Sequence, residues 1–142
     1  GSEMVDAARY CERIVTKYKP KQVVVFAGGN DINSKKTPAQ VLENAKTLVG
    51  KIHAALPETK VHFISLFPNV KRQAQDATCR EFNALIEAYT KTDKRLSFID
   101  TASKMRAEDG GPRPELLAKD GLHMNEEGYK IWNALVGPVL RR

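Results

Sequence analysis

Hydrophobic and polar residues follow two periods along this chain, one helical and one extended. Within residues 2–18, apolar side chains recur every three or four positions, which predicts an amphipathic helix. Ser2 is placed to cap this helix, and Glu3 and Asp6 suit the positive end of its dipole. Pro20 predicts where the helix stops. Its apolar positions are Val5, Ala8, Cys11, Ile14, Val15 and Tyr18.

Three short apolar runs predict strands, at residues 23–27, 61–67 and 96–100. The first run reads VVVFA without interruption, whereas a strand exposed on one face would alternate apolar and polar residues. Such a run is typical of a strand buried on both faces, as in parallel sheets covered by helices.

Three further helices follow from capping signals and apolar stripes. Thr37 and Gln40 have the spacing of a capping box, with Pro38 at the first helical position. A third helix is predicted over residues 72–89, and Asn125 is placed to cap a last helix. The apolar stripe after Thr37 consists of Val41, Leu42, Ala45, Leu48, Val49, Ile52 and Leu56.

This alternation of helices and strands predicts an α/β fold. We expect residues 1–142 to form one domain, a three-layer α/β/α sandwich with a flavodoxin-like parallel sheet and right-handed crossovers. The run at 23–27 has the pattern of an interior strand, yet no predicted strand precedes it. We therefore expect that the sheet lacks its first strand or strands, or that a second copy or another element covers that edge.

The composition of the chain excludes several classes of binding partner and site. The formal net charge is +6, but the basic residues are scattered without interleaved aromatics, so we expect no nucleic-acid binding. No apolar run approaches the ~20 residues of a membrane span. Cys11 and Cys79 form no metal or redox motif, and the lack of a disulfide framework favours a cytoplasmic location.

Polar residues follow the predicted strands at the end where open α/β sheets bind ligands. Asp120 and His123 are joined through a glycine turn, a spacing that lets a carboxylate fix the tautomer of a histidine base. Asn30 and Asp31 follow two glycines directly after the first strand, where Asn30 can donate to an oxyanion. Taken alone, each motif is also compatible with an ordinary turn. The turn at Gly28–Asp31 is also compatible with phosphate binding at a helix N-terminus.

Taken together, the motifs resemble the SGNH/GDSL hydrolase family. Gly28-x-Asn30-Asp31 follows a buried strand, Asp120-x-x-His123 precedes a terminal helix, and both order and spacing are similar to those of the family. The resemblance implies that Asn30 is an oxyanion donor, His123 the general base and Asp120 its orienting partner. It also places a second oxyanion donor on Gly1. The residues we expect to contact substrate are Gly28, Gly29 and Leu122.

The chain departs from the family in one respect: it contains no Gly-Asp-Ser motif, which carries the nucleophile in such enzymes. We therefore expect the serine to lie upstream, on a segment on the order of the ~30 residues of a βαβ unit. Ser65, near the end of the second strand, is a weaker candidate nucleophile. The implied activity is hydrolysis of a small-molecule carboxylic ester through an acyl-enzyme, without metal or organic cofactor.

Three alternatives stay open from the sequence. One is a non-catalytic ligand-binding module, and another is a flavodoxin-like nucleotide or phosphate binder that uses the Gly28–Asp31 turn. The third is a chain that is completed by another chain, or that forms a homo-oligomer, through strand addition at the open sheet edge.

Overall fold

Three parallel strands form the sheet in the computed structural model, which describes residues 2–142. The strands are β1 (Gln22–Val25), β2 (Lys60–Ile64) and β3 (Leu96–Ile99), and they are paired in the order β1-β2-β3. Because each connection crosses back over the sheet, all three carboxyl ends lie at the same edge. The loops that follow the strands therefore start side by side.

Helices cover both faces of the sheet, which confirms the predicted α/β/α sandwich. One face packs on the helices that precede β3, around Val61 and Phe63, and the other packs on the last helix through Ile64, Ile99 and Val136. None of the described helices is both long and apolar enough to cross a bilayer. The helices are α1 (Met4–Arg9), α2 (Cys11–Ile14), α3 (Gly29–Asn33), α4 (Pro38–Ala55), α5 (Asp76–Thr90) and α6 (Glu126–Leu140).

The prediction of one helix over residues 2–18 was wrong, because the chain breaks at Tyr10 into α1 and α2. Glu3 rather than Ser2 is the N-cap, and its backbone N–H donates to the Asp6 carboxylate over 2.9 Å. The buried positions of α1 pack against α4, and Cys11 at the start of α2 is buried in the same core, but the break turns the far end of the predicted helix outward. Ile14 and Tyr18, predicted to face inward, are exposed as a result.

Two capping predictions are confirmed. Thr37 Oγ1 accepts from the Gln40 backbone over 3.2 Å, and Asn125 Oδ1 accepts from the Gly128 backbone over 3.0 Å. The third predicted helix begins later than expected, at Asp76, because residues 73–75 form a 3₁₀ turn. The segment between β2 and α5 is therefore a loop, and this loop contributes to the site described below.

Strand β1 is open on one face, contrary to the prediction from its uninterrupted apolar run. Val25 is buried, but Val24 is 37% exposed and the following Phe26 is 44% exposed. The reason is that α6 packs over β2 and β3, at Ile64 and Ile99, and leaves the same face of β1 incompletely covered. Within residues 2–142, β1 pairs with β2 alone, so its other edge is open.

Gly28 forms the sharp turn between β1 and α3. Its φ of 123° lies where side chains are strongly disfavoured, and a Cβ at this position would lie 2.8 Å from Cε2 of Phe82. Backbone conformation and close packing therefore both require glycine here.

We predict that Gly28→Ala destabilises the fold by at least about 2 kcal/mol, because it combines backbone strain with overpacking. Urea unfolding monitored by circular dichroism measures the change. The matched control is Gly50→Ala in α4, where a Cβ meets nothing within 4 Å. That variant should gain about 0.5–1 kcal/mol from helix propensity. Equal stabilities for the two variants would contradict the packing argument.

Candidate active site

A cleft of about 190 Å³ lies at the carboxyl edge of the sheet. Three segments form it: the short helix α3 after β1 contributes Asn30, the loop after β2 contributes Arg72, and the loop before α6 contributes His123. The side chains expected to flank a reacting group, Asn30 and His123, thus line the same cavity. Its apolar wall includes Phe26, Phe67 and Leu122.

Asp120 and His123 form a hydrogen-bonded pair on the loop before α6. His123 Nδ1 lies 2.6 Å from Asp120 Oδ2, and Gly121 makes the turn between them with a φ of 67°. Since an ionised carboxylate only accepts hydrogen bonds, Nδ1 carries a proton, and Nε2 is the ring nitrogen left to act as an acceptor. The imidazole is 73% exposed, so it is accessible as a base.

Hydrogen bonds keep Asp120 ionised. The bond from the His123 ring, followed by those from the backbone N–H groups of Leu122 and His123, holds the pKa of this carboxyl well below its usual range. The two backbone bonds end on Oδ1 at 2.9 and 3.0 Å, which leaves Oδ2 for the imidazole. A single local loop therefore both orients the histidine and maintains the charge beside it.

Asn30 is held from both ends of its amide. Its Nδ2 donates to the Ser2 carbonyl over 3.1 Å, and its Oδ1 accepts from Arg72 Nη1 over 3.0 Å. The segment before α1 and the loop after β2 therefore both contact the candidate oxyanion donor.

The neighbouring Asp31 is buried rather than part of the cleft wall. Its carboxylate is fully inaccessible and accepts the Met4 backbone N–H at 3.1 and 3.0 Å from its two oxygens. Burial raises the pKa of Asp31, while the Met4 bond opposes this shift and Lys36 lies 3.9 Å away. Asp31 thus fastens the start of α1 to α3 and keeps Ser2 beside Asn30.

The other predicted site residues divide between the cleft and its surroundings. Gly29 and Leu122 line the cavity, whereas Gly28 is not among the described residues that do so. Its contact with Phe82 gives it a structural role instead. Gly1, predicted as an oxyanion donor, lies outside the residues that the structure describes.

Sequence reasoning did not identify Arg72 as part of the site, because it was assigned to the start of a helix. Asn69, three residues earlier, is the sequence signal that indicates a turn here rather than a helix. Its Oδ1 accepts the Arg72 backbone N–H over 2.8 Å. Cys79 also lines the cleft, but burial raises the pKa of its thiol to about 11, so it is a poor nucleophile.

Comparison with protein families identifies the chain. Residues 2–131 match the model of the GDSL-like lipase/acylhydrolase family. The chain belongs to this family. No curated protein matches it at a significant level.

Solved structures share the fold of this GDSL-like chain. A GDSL-like lipase from Bacteroides thetaiotaomicron superposes with a TM-score of 0.83 at 24% identity, covering 99% of this chain and 71% of the lipase. A family 3 carbohydrate esterase from Talaromyces cellulolyticus gives 0.83 at 23%, covering 98% and 66%. An acetyl-xylooligosaccharide esterase mutant from Geobacillus gives 0.77 at 16%, covering 95% and 66%. The chain thus spans about two thirds of the length of these structures.

We predict that His123→Ala raises the pKa of the Asp120 carboxyl, because the largest contribution to its depression is lost. In the unaltered chain, this carboxyl should titrate below the ordinary value of ~3.9. Carboxyl ¹³C NMR as a function of pH measures both midpoints. Asp93 serves as an internal control, since its pKa is lowered by a separate bond from Arg95 and should not change. An unchanged Asp120 midpoint would show that the ring does not hold the carboxylate.

Proposed function

We propose that this GDSL-like chain supplies the base and an oxyanion donor of a carboxylic ester hydrolase, whose nucleophilic serine lies on a segment outside the 142 residues. The observation that carries the proposal is the placement of Asn30 and His123 on one cleft, with Asp120 hydrogen-bonded to the far nitrogen of the imidazole. A hydrolase that acts through an acyl-enzyme needs this relation between its base and its oxyanion donor.

His123 transfers the protons in this mechanism. Its Nε2 accepts the serine proton as the hydroxyl oxygen attacks the ester carbonyl, and Asp120 stabilises the imidazolium that forms. Nδ2 of Asn30 donates to the carbonyl oxygen as negative charge develops on it. His123 then returns the proton to the departing alcohol, and a water molecule repeats the sequence to release the acid and restore the serine.

The serines of the chain support an external nucleophile. Ser65 is buried, and its Oγ accepts the backbone N–H groups of Thr101 and Ala102 at 2.9 Å each, which commits it to the loop after β3. Ser103 is bonded to Asp100. Ser2 lines the cleft, but no Gly-Asp pair precedes it.

The open edge of β1 is where we place the strand that carries the serine. Beside this edge, Val24 and Phe26 expose apolar surface on the face of the sheet that α6 leaves uncovered. Phe26 also stacks on Phe67 of the cleft wall, with ring centroids 5.7 Å apart. Trp132, which meets Phe26 edge to face, has a buried indole N–H without an acceptor among residues 2–142. A parallel strand paired with β1 would end at the same sheet edge as the cleft.

The cleft has room for a small acyl group. Its volume of about 190 Å³ and its aromatic and aliphatic walls suit an acetyl group. The acetyl-xylooligosaccharide esterase and the carbohydrate esterase among the similar structures make acetylated sugars a reasonable first substrate class to assay.

We predict that the 142-residue chain alone hydrolyses aryl acetates no faster than its His123→Ala variant, because it lacks the attacking serine. Protein expressed from the natural reading frame, with any codons upstream of Gly1 included, should be active. There, His123→Ala should lower kcat by about 10³-fold or more. Asn30→Ala should lower kcat by about 10²–10³-fold. Initial rates across substrate concentrations measure each effect.

Ser2→Ala and Ser65→Ala in the 142-residue chain are the controls for the position of the nucleophile. If the chain alone turned over ester and Ser2→Ala abolished it, the serine would be internal and this part of the proposal would be wrong. If the longer protein bound acetylated ligands without hydrolysing them, the chain would belong to a binding module instead.

A further inference from the structure

The Asn30 amide lies between two groups of fixed hydrogen-bonding character. The guanidinium of Arg72 can only donate, so it must face the amide oxygen, and the backbone carbonyl of Ser2 can only accept, so it must face the amide nitrogen. The two contacts independently specify the same orientation of an amide whose ends are otherwise similar in shape. One Nδ2 hydrogen is used by Ser2, and the second is available to a ligand.

The loop before α5 holds Arg72 in this place. Its backbone N–H donates to Asn69 Oδ1 over 2.8 Å, and its carbonyl accepts from the Gln75 backbone over 2.9 Å. The side chain is half-buried and makes no salt bridge to any carboxylate in residues 2–142. By contrast, Arg80 and Arg106 are both paired with Asp76. The charge of Arg72 is thus directed to a neutral amide rather than neutralised by an acid.

We propose that Arg72 is a positioning residue that fixes the Asn30 amide and strengthens its donor. A cationic donor on the amide oxygen makes a charge-assisted bond, and it draws electron density from the nitrogen, so that the remaining N–H becomes a better donor. The oxyanion part of this inference rests on the proposed hydrolase function. The orienting part concerns the amide alone and can be tested without any reaction.

The first experiment is NMR of the Asn30 side-chain amide in the 142-residue chain. In the unaltered protein, the two Nδ2 resonances should lie away from those of a solvent-exposed asparagine, and the proton that is bonded to the Ser2 carbonyl should be protected from exchange with water. Arg72→Met should bring both resonances toward the shifts of a solvent-exposed asparagine. It should also speed exchange of the Ser2-bonded proton by roughly tenfold, because the amide loses the hydrogen bond to its oxygen that holds it in this orientation. Arg72→Lys, which retains a cationic donor but not the planar fork, should restore part of the protection.

Arg113→Met is the matched control, because Arg113 bonds Glu115 and the Lys104 carbonyl and is not among the described cleft residues. It should leave the Asn30 signals unchanged, and all variants should retain the circular dichroism spectrum of the unaltered chain. Asn30 resonances that are the same in Arg72→Met as in the unaltered protein would overturn the proposal. Equal disturbance by both methionine variants would do so as well.

A kinetic comparison on the protein from the natural reading frame tests the oxyanion part. Arg72→Met should lower kcat by roughly tenfold and change KM less than twofold, because the strengthened N–H bond is made in the transition state. A raised KM with unchanged kcat would make Arg72 a substrate-binding residue and overturn the positioning role. If no variant of that protein hydrolyses esters, the proposed function fails, while the NMR result still decides whether Arg72 orients Asn30.

Discussion

The parallel pairing of three strands is the constraint on which the candidate site depends. Parallel strands need crossovers, and crossovers bring the carboxyl end of every strand to one edge. Asn30, Arg72 and His123 lie far apart in sequence, yet each follows a different strand, and so they line one cleft. The shared edge also explains why the segments that follow the strands carry the polar groups of the site, while the strands carry the core.

The buried carboxylate of Asp31 links two of the segments at this edge of the sheet. A fully buried carboxylate is unfavourable unless its oxygens are bonded, and here the Met4 N–H bridges both of them, with Lys36 nearby. The result is a fixed contact between the start of α1 and α3. That contact places the Ser2 carbonyl where it receives the Asn30 amide.

The sequence predicted features that are encoded locally. The caps at Thr37 and Asn125 form because each side chain bonds a backbone group three residues away, and the dyad of Asp120 and His123 has the same short range. The α/β/α order followed from apolar periodicity. What the sequence did not predict depends on tertiary contacts: the break at Tyr10, the exposure of Val24 that follows from the position of α6, and the place of Arg72 beside Asn30.

The two halves of the candidate site therefore differ in how they are built. The dyad is a local module of four residues, closed by bonds within its own loop. The position of the Asn30 amide instead depends on long-range contacts, since its partners come from the segment before α1 and from the loop after β2. A fluctuation that releases the N-terminal segment would remove the Ser2 contact of the Asn30 amide but leave the bond between Asp120 and His123 intact. The complete geometry of the site therefore depends on a few residues before α1 remaining docked.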